Sequence, residues 1–105
     1  MIELDSQSAG REVTARVGER LELVLPETGS TGYRWHVSDG CARLLTTELD
    51  ERRAGAARPG APGDHHWVFL AKTPGKCTLR FVLGRSWEEA AGGQVVTFPV
   101  LVVGT

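Results

Sequence analysis

The chain has no excess of either charge, no long apolar run and only two cysteines, and each shortage removes a class of protein. Lys and Arg number 12 against 13 Asp and Glu, a formal net charge of -1. Nucleic-acid binding relies on a basic face that neutralises phosphates, so no nucleic-acid partner is expected. The most apolar run, Phe98 to Val103, is short and holds Pro99. A membrane span needs roughly 20 apolar residues, so no membrane partner is expected either. Glu3 and Asp5 interrupt the N-terminus before the apolar stretch of a signal peptide can form. That fits a cytoplasmic protein, or a secreted or periplasmic one already trimmed.

Two cysteines are too few for a disulfide scaffold. Cys41 and Cys77 permit one bridge without requiring it, since a small buried thiol would serve at either place. A bridge would contribute roughly 3 to 4 kcal/mol on the chain-entropy model. A Cys/His nucleophile pair drawn from Cys41 or Cys77 with His36, His65 or His66 has no signature around it. No catalytic residue is therefore assigned, and the chain is not expected to be an enzyme. Neighbouring residues of a strand point to opposite faces, so His65 and His66 do not easily share one metal ion. One is expected toward solvent or the binding edge and the other packed, with no metal and no cofactor.

What is present is an ordinary globular composition: 105 residues, 41% hydrophobic and 24% charged, enough for one domain over 1–105 with one core. Nothing in it demands more than a monomer. The apolar period is mostly two, which predicts strands with one buried face. Leu21, Leu23 and Leu25 alternate with Glu22 and Val24; Trp35 and Val37 with Arg34, His36 and Ser38; Trp67 and Phe69 with His66, Val68 and Leu70. Leu79, Phe81 and Leu83 follow the same rule, as do Val96, Phe98, Val100 and Val102. Pro99 lacks a ladder donor, so the last strand is expected to be partly an edge or to bulge there. Between Ala42 and Arg53, Leu45 and Leu49 stand at helical spacing, but a strand through Leu45, Thr47 and Leu49 fits better. The stretch from Asp50 to Asp64 reads as a long loop rich in Arg, Ala, Gly and Pro, with Glu51-Arg52-Arg53 as a solvated face. Gly, Pro and Asp signals separate the strands, which predicts an all-β, immunoglobulin-like two-sheet sandwich of about seven to eight strands. Leu21, Leu23 and Leu25 occupy the strand where an antibody-type domain carries its first cysteine, so that subtype is not expected.

Three connections carry unusual residues. Residues 26–35 read Pro-Glu-Thr28-Gly29-Ser30-Thr31-Gly32-Tyr33-Arg-Trp, a run of small side chains whose backbone can approach another surface closely. The plainer reading is a turn whose hydroxyls bond its own backbone. Residues 59–65 include Gly60-Ala61-Pro62-Gly63, and residues 84–88 place Arg85-Ser86-Trp87 in a turn. Trp and Arg dominate interface hot spots, so a loop Trp reads as an anchor unless it folds back on the core.

These residues carry a resemblance. Thr28-Gly29-Ser30-Thr31-Gly32-Tyr33-x-Trp35 resembles the Asn-Pro-Thr-Thr-Gly-Tyr/Phe-x-Trp loop of the chagasin-type inhibitors of papain-like cysteine peptidases. Gly60-Ala61-Pro62-Gly63 is similar to that family's Gly-x-Gly-Gly loop, and Arg85-Ser86-Trp87 to its Arg-Pro-Trp loop. Each motif alone is weak; three in order are fairly specific. The resemblance implies reversible inhibition in which three loops block the peptidase cleft, with Thr31 and its neighbours near the catalytic Cys/His pair. Trp87 would pack on aromatic surface beside it, and Gly60 to Gly63 would brace the other side. Thr28 and Gly29 stand where the family has Asn and Pro, Pro62 where it has a glycine, and Ser86 where it has a proline. These departures bear on affinity through loop preorganisation. The alternative is a non-catalytic immunoglobulin-like binding or adhesion module with another protein ligand, because fold alone does not settle function.

Overall fold

Side chains that alternate across a strand bury one face only when a second sheet covers it, and that is how this chain folds. The computed structural model describes residues 1–27, 34–38, 40–53, 63–84 and 94–104. Among them are eight strands: β1 (Ile2–Leu4), β2 (Val13–Arg16), β3 (Arg20–Glu27), β4 (Arg34–Val37), β5 (Leu45–Arg53), β6 (Gly63–Ala71), β7 (Gly75–Gly84) and β8 (Val95–Val103). They form two four-stranded sheets, β1-β3-β6-β5 and β2-β8-β7-β4. The expected two-sheet sandwich is therefore the observed one.

Each sheet is built on antiparallel pairs, β3 with β6 and β6 with β5 in one, β4 with β7 and β7 with β8 in the other. The two N-terminal strands add in parallel, β1 beside β3 and β2 beside β8. These short strands were not expected from the periodicity, since three or four residues give too few repeats to count.

The inward positions are those the alternation predicts. Leu21, Leu23, Leu25, Trp67, Phe69, Leu79, Phe81, Phe98, Val100 and Val102 are all buried. Phe81 sits at the centre: its ring lies 4.7 Å from Trp67, 6.5 Å from Phe69 and 5.9 Å from Phe98. Tilted and edge-on rings at these separations gain beyond their buried area.

Three expectations need correction. The run from Asp50 to Asp64 is not all loop, because β5 continues to Arg53 and β6 starts at Gly63. A register shift between Thr47 and Leu49 puts Glu48 in as an extra residue. This bulge reverses the facing of everything after it, so Leu49 pairs with outward Val68 while Asp50 and Arg52 pair with inward Trp67 and His65. Val37 does not share the burial of Trp35; it is 38% exposed, because β4 is the last strand of its sheet. Pro99 falls where β8 is an edge on one side, as expected, and the register to β7 is unbroken, so no bulge forms there. It is tolerated because the ladder to β2 begins only at Val100, which leaves position 99 beyond the end of that neighbour.

Cys41 and Cys77 are joined, closing the open question from the sequence. The bridge ties the β4–β5 connection to β7 across a sequence separation of 36 residues. At the same end, Gly75 has φ +150°, and a Cβ there would lie 2.9 Å from Leu44 Cδ2. The positive φ is what favours glycine there, since L side chains rarely adopt it.

Two stability outcomes follow. Phe81→Ala empties the centre of the aromatic layer and should cost about 3 to 5 kcal/mol, read as a lowered urea midpoint. Reducing the bridge, or replacing both cysteines by Ala, should cost roughly 3 to 4 kcal/mol by the same measurement.

Candidate functional site

The strand ends decide where the three motif-bearing connections depart. β3 ends at Glu27 and β4 starts at Arg34; β5 ends at Arg53 and β6 starts at Gly63; β7 ends at Gly84, and β8 starts at Val95. Register brings these ends together. Glu27 pairs with Gly63, and Arg53 with Asp64, so the stems of the first two connections are neighbours in one sheet. Arg34 pairs with Gly84 in the other sheet. Leu83 N–H donates to the carbonyl of Gln94 at 2.8 Å and closes the third stem. All three connections thus leave one rim of the sandwich.

Of the residues named from the sequence, Gly63 lies in this rim as the first residue of β6, and it is buried. Thr28, Gly29, Ser30, Thr31, Gly32 and Tyr33, with Gly60, Ala61 and Pro62, and with Arg85, Ser86 and Trp87, lie outside the described residues. The structure places the stems on either side of them.

The rim itself holds a polar cluster that sequence reasoning missed. Glu27 continues the inward parity of Leu21, Leu23 and Leu25, and its side chain is fully enclosed. A buried carboxylate is tolerated only when donors surround it. Trp35 N–H, from the facing sheet, donates to Glu27 Oε2 at 2.7 Å. His65 Nδ1 lies 3.3 Å from the same oxygen, and Arg52 Nε lies 3.5 Å from Oε1. His65 is held in turn: its ring stacks on Trp67 at 4.0 Å with 5° between planes, and its Nε2 meets the Asp50 carboxylate. Trp35 completes the closure, its indole N–H donating to the Pro26 carbonyl at 2.9 Å. The signal available in the sequence was the parity of Glu27, which extends the leucine alternation by one step.

The adjacent histidines point to opposite faces, one partly exposed at the rim and the other packed. His65 lies inward in this cluster, and His66 is buried on the outer face with Nε2 2.6 Å from Glu22 Oε2. The outer face thus shelters a histidine through its carboxylate neighbour. Among the described residues no group of three or more His, Cys, Asp or Glu is arranged to hold a metal ion.

Both cysteines are spent in the bridge, leaving no thiol nucleophile. A groove of about 330 Å³ lies toward the opposite end, between the β4 and β5 edges, lined by apolar Val37, Leu45, Phe69 and Leu79 and by polar Ser38, Thr46, Thr47 and Lys72.

Fold and rim together define a loop-presenting β-sandwich of the immunoglobulin-like kind. The chain belongs to the chagasin family of peptidase inhibitors: the family model described as Chagasin family peptidase inhibitor I42 matches residues 14–102. Solved structures of similar fold include the cysteine protease inhibitor EhICP2 from Entamoeba histolytica, with a TM-score of 0.85 and 18% identity over 97% of this chain and 95% of that one. Amebosin gives 0.77 and 24% identity over 97% of each chain. PbICP-C, solved in complex with falcipain-2, gives 0.73 and 15% identity over 98% of this chain and 100% of the other. At these identities the likeness shows the shared fold. No curated protein matches the chain at a comparable level of significance.

Trp35→Phe keeps the ring in the core and removes the bond to Pro26. It should cost about 0.5 to 1.5 kcal/mol in urea unfolding.

Proposed function

We propose that the protein is a reversible inhibitor of papain-like cysteine peptidases that obstructs the active-site cleft with the connections 26–35, 59–65 and 84–88. The observation that carries this reading is the convergence of the three stems on one rim. Family membership supports it, as does PbICP-C, whose solved structure holds falcipain-2 as partner.

The physical logic needs no chemistry from the inhibitor. Thr28 to Tyr33 offer small side chains and two glycines, which lets a backbone enter a narrow cleft. Arg85 and Trp87 are of the residue types that anchor interfaces, and Trp87 supplies apolar area beside the cleft. Gly60, Ala61, Pro62 and Gly63 brace the other side. With anchors on three separate stems, affinity comes from simultaneous engagement of a rigid rim, and rigidity lowers the entropy cost of binding.

The test is an inhibition titration against papain and a small panel of related peptidases. The wild-type chain should inhibit with a constant well below micromolar. Trp87→Ala and a bulky replacement at Gly32 should each weaken inhibition by about 2 kcal/mol or more, the size of a hot-spot loss. Unchanged inhibition in both variants overturns the loop assignment, and absence of wild-type inhibition at micromolar concentration favours a binding or adhesion module instead.

A further inference from the structure

We propose that Glu27 is the positioning residue of the inhibitory rim: its enclosed carboxylate fixes the exit of the first connection and couples it to the second through His65, Asp50 and Arg52. This rests on the inhibitor reading above and goes beyond it, because Glu27 lies below the surface that would meet a peptidase.

Glu27 is the last residue of β3, and Trp35 is the second residue of β4, in the opposite sheet. The bond from Trp35 N–H to Glu27 Oε2 at 2.7 Å therefore ties the two ends of the first connection to each other. The indole bond to Pro26, at 2.9 Å, repeats the tie one residue earlier. Strand pairing does not supply this link, since β3 and β4 belong to different sheets. Glu27 and the tryptophan are thus the clamp that sets how far apart the stem strands stand and how they are turned.

The second connection enters through the other donors. Arg52 is the penultimate residue of β5 and His65 the third of β6, so both belong to the stem around residues 54–62. His65 carries a carboxylate on each ring nitrogen, Glu27 at Nδ1 and Asp50 at Nε2, while Trp67 fixes the plane of its ring. Arg52 brings its guanidinium Nε to 3.5 Å from Glu27 Oε1. Arg52 and His65 facing the carboxylates of Glu27 and Asp50, contributed by β3, β5 and β6, thus lock one stem to the other.

A buried network of this kind does not have to add net stability, because desolvation offsets much of its Coulomb attraction. What it supplies is a single geometry. Removing Glu27 leaves Trp35 N–H without its acceptor and Arg52 and His65 without their common anion, so the stems lose their defined spacing even where the core holds the sheets together.

The experiment uses the full chain. Glu27→Leu removes acceptor and charge, Glu27→Gln keeps an acceptor for Trp35 N–H, and His65→Phe keeps an aromatic ring for the stack but neither nitrogen. Each is checked for folding by its thermal midpoint, then measured against papain well below that midpoint, and by amide hydrogen exchange without peptidase. Glu27→Leu should raise the inhibition constant at least tenfold while fully folded, Glu27→Gln should recover most of the loss, and exchange at residues 34–35 should accelerate selectively. The loss should be non-additive with a bulky residue at Gly32 and additive with Trp87→Ala. Folded Glu27→Leu that inhibits and exchanges like wild type overturns the proposal; if it does not fold, unchanged inhibition and exchange in His65→Phe do so. Were the wild type to leave papain untouched, the inhibitor reading would fall, while the exchange measurement would still decide whether Glu27 holds the stem.

Discussion

Phe81 meets Trp67 and Phe69 of the facing sheet and Phe98 of its own, and the apolar layer they form sets the spacing and alignment of the two sheets. Everything at the rim depends on that alignment. Residues on different sheets can meet only if the sheets are held at one separation and one angle, and close packing of large rings tolerates little slippage. Trp35 and Glu27 are 2.7 Å apart because the core beneath them has already decided where each strand ends. The layer is apolar up to Trp67 and then turns polar over one step of the alternation, where His65 stacks on Trp67.

That change of character divides the molecule into two ends with different tasks. Toward one end the Cys41–Cys77 bridge ties the β4–β5 connection to β7, and Gly75 lets Leu44 approach closely. A covalent tie acts mainly on the unfolded chain, so it raises stability without touching the rim. At the other end the ties are hydrogen bonds and ion pairs, which specify geometry more than they add free energy. The separation matters for a binding protein, because the end that must present fixed loops is not also the end that carries the covalent closure.

Much of this was legible in the residues. The alternation of Leu21, Leu23 and Leu25, of Trp67 and Phe69, and of Val96 to Val102 gave the sheets and their buried faces, because a period of two has no other compact solution. Where the pattern was short it was silent: β1 and β2 each bury two residues at most, and they pair in parallel with strands far along the chain. The bulge at Glu48 was hidden for a different reason. A bulge is an extra residue fixed by pairing with β6, and it moves Leu49 outward and Asp50 and Arg52 inward against the simple alternation. Without that one residue the two stems would lack half of their shared cluster. Glu27 and His65 were each visible as residues, but their meeting is a matter of register between β3 and β6, which composition does not encode.

The loop departures and the clamp bear on one another. A proline restrains its own backbone, and each proline replaced by a freer residue gives back about 0.4 to 1 kcal/mol of unfolded-chain entropy that must be overcome when the loop is fixed. Gly29 and Ser86 stand where the resembling loops carry proline, so two of the three connections give up such a restraint, whereas Pro62 adds one to the second. A connection with less restraint inside it depends more on how firmly its ends are held. The first connection is tied at its base by Pro26, Glu27 and Trp35, and its own glycines, Gly29 and Gly32, leave it adaptable in sequence. Binding cost is then shifted from the loop to the stem: the order that proline would supply locally is supplied by a carboxylate buried between the sheets, whose donors are themselves set by the register of β5 on β6.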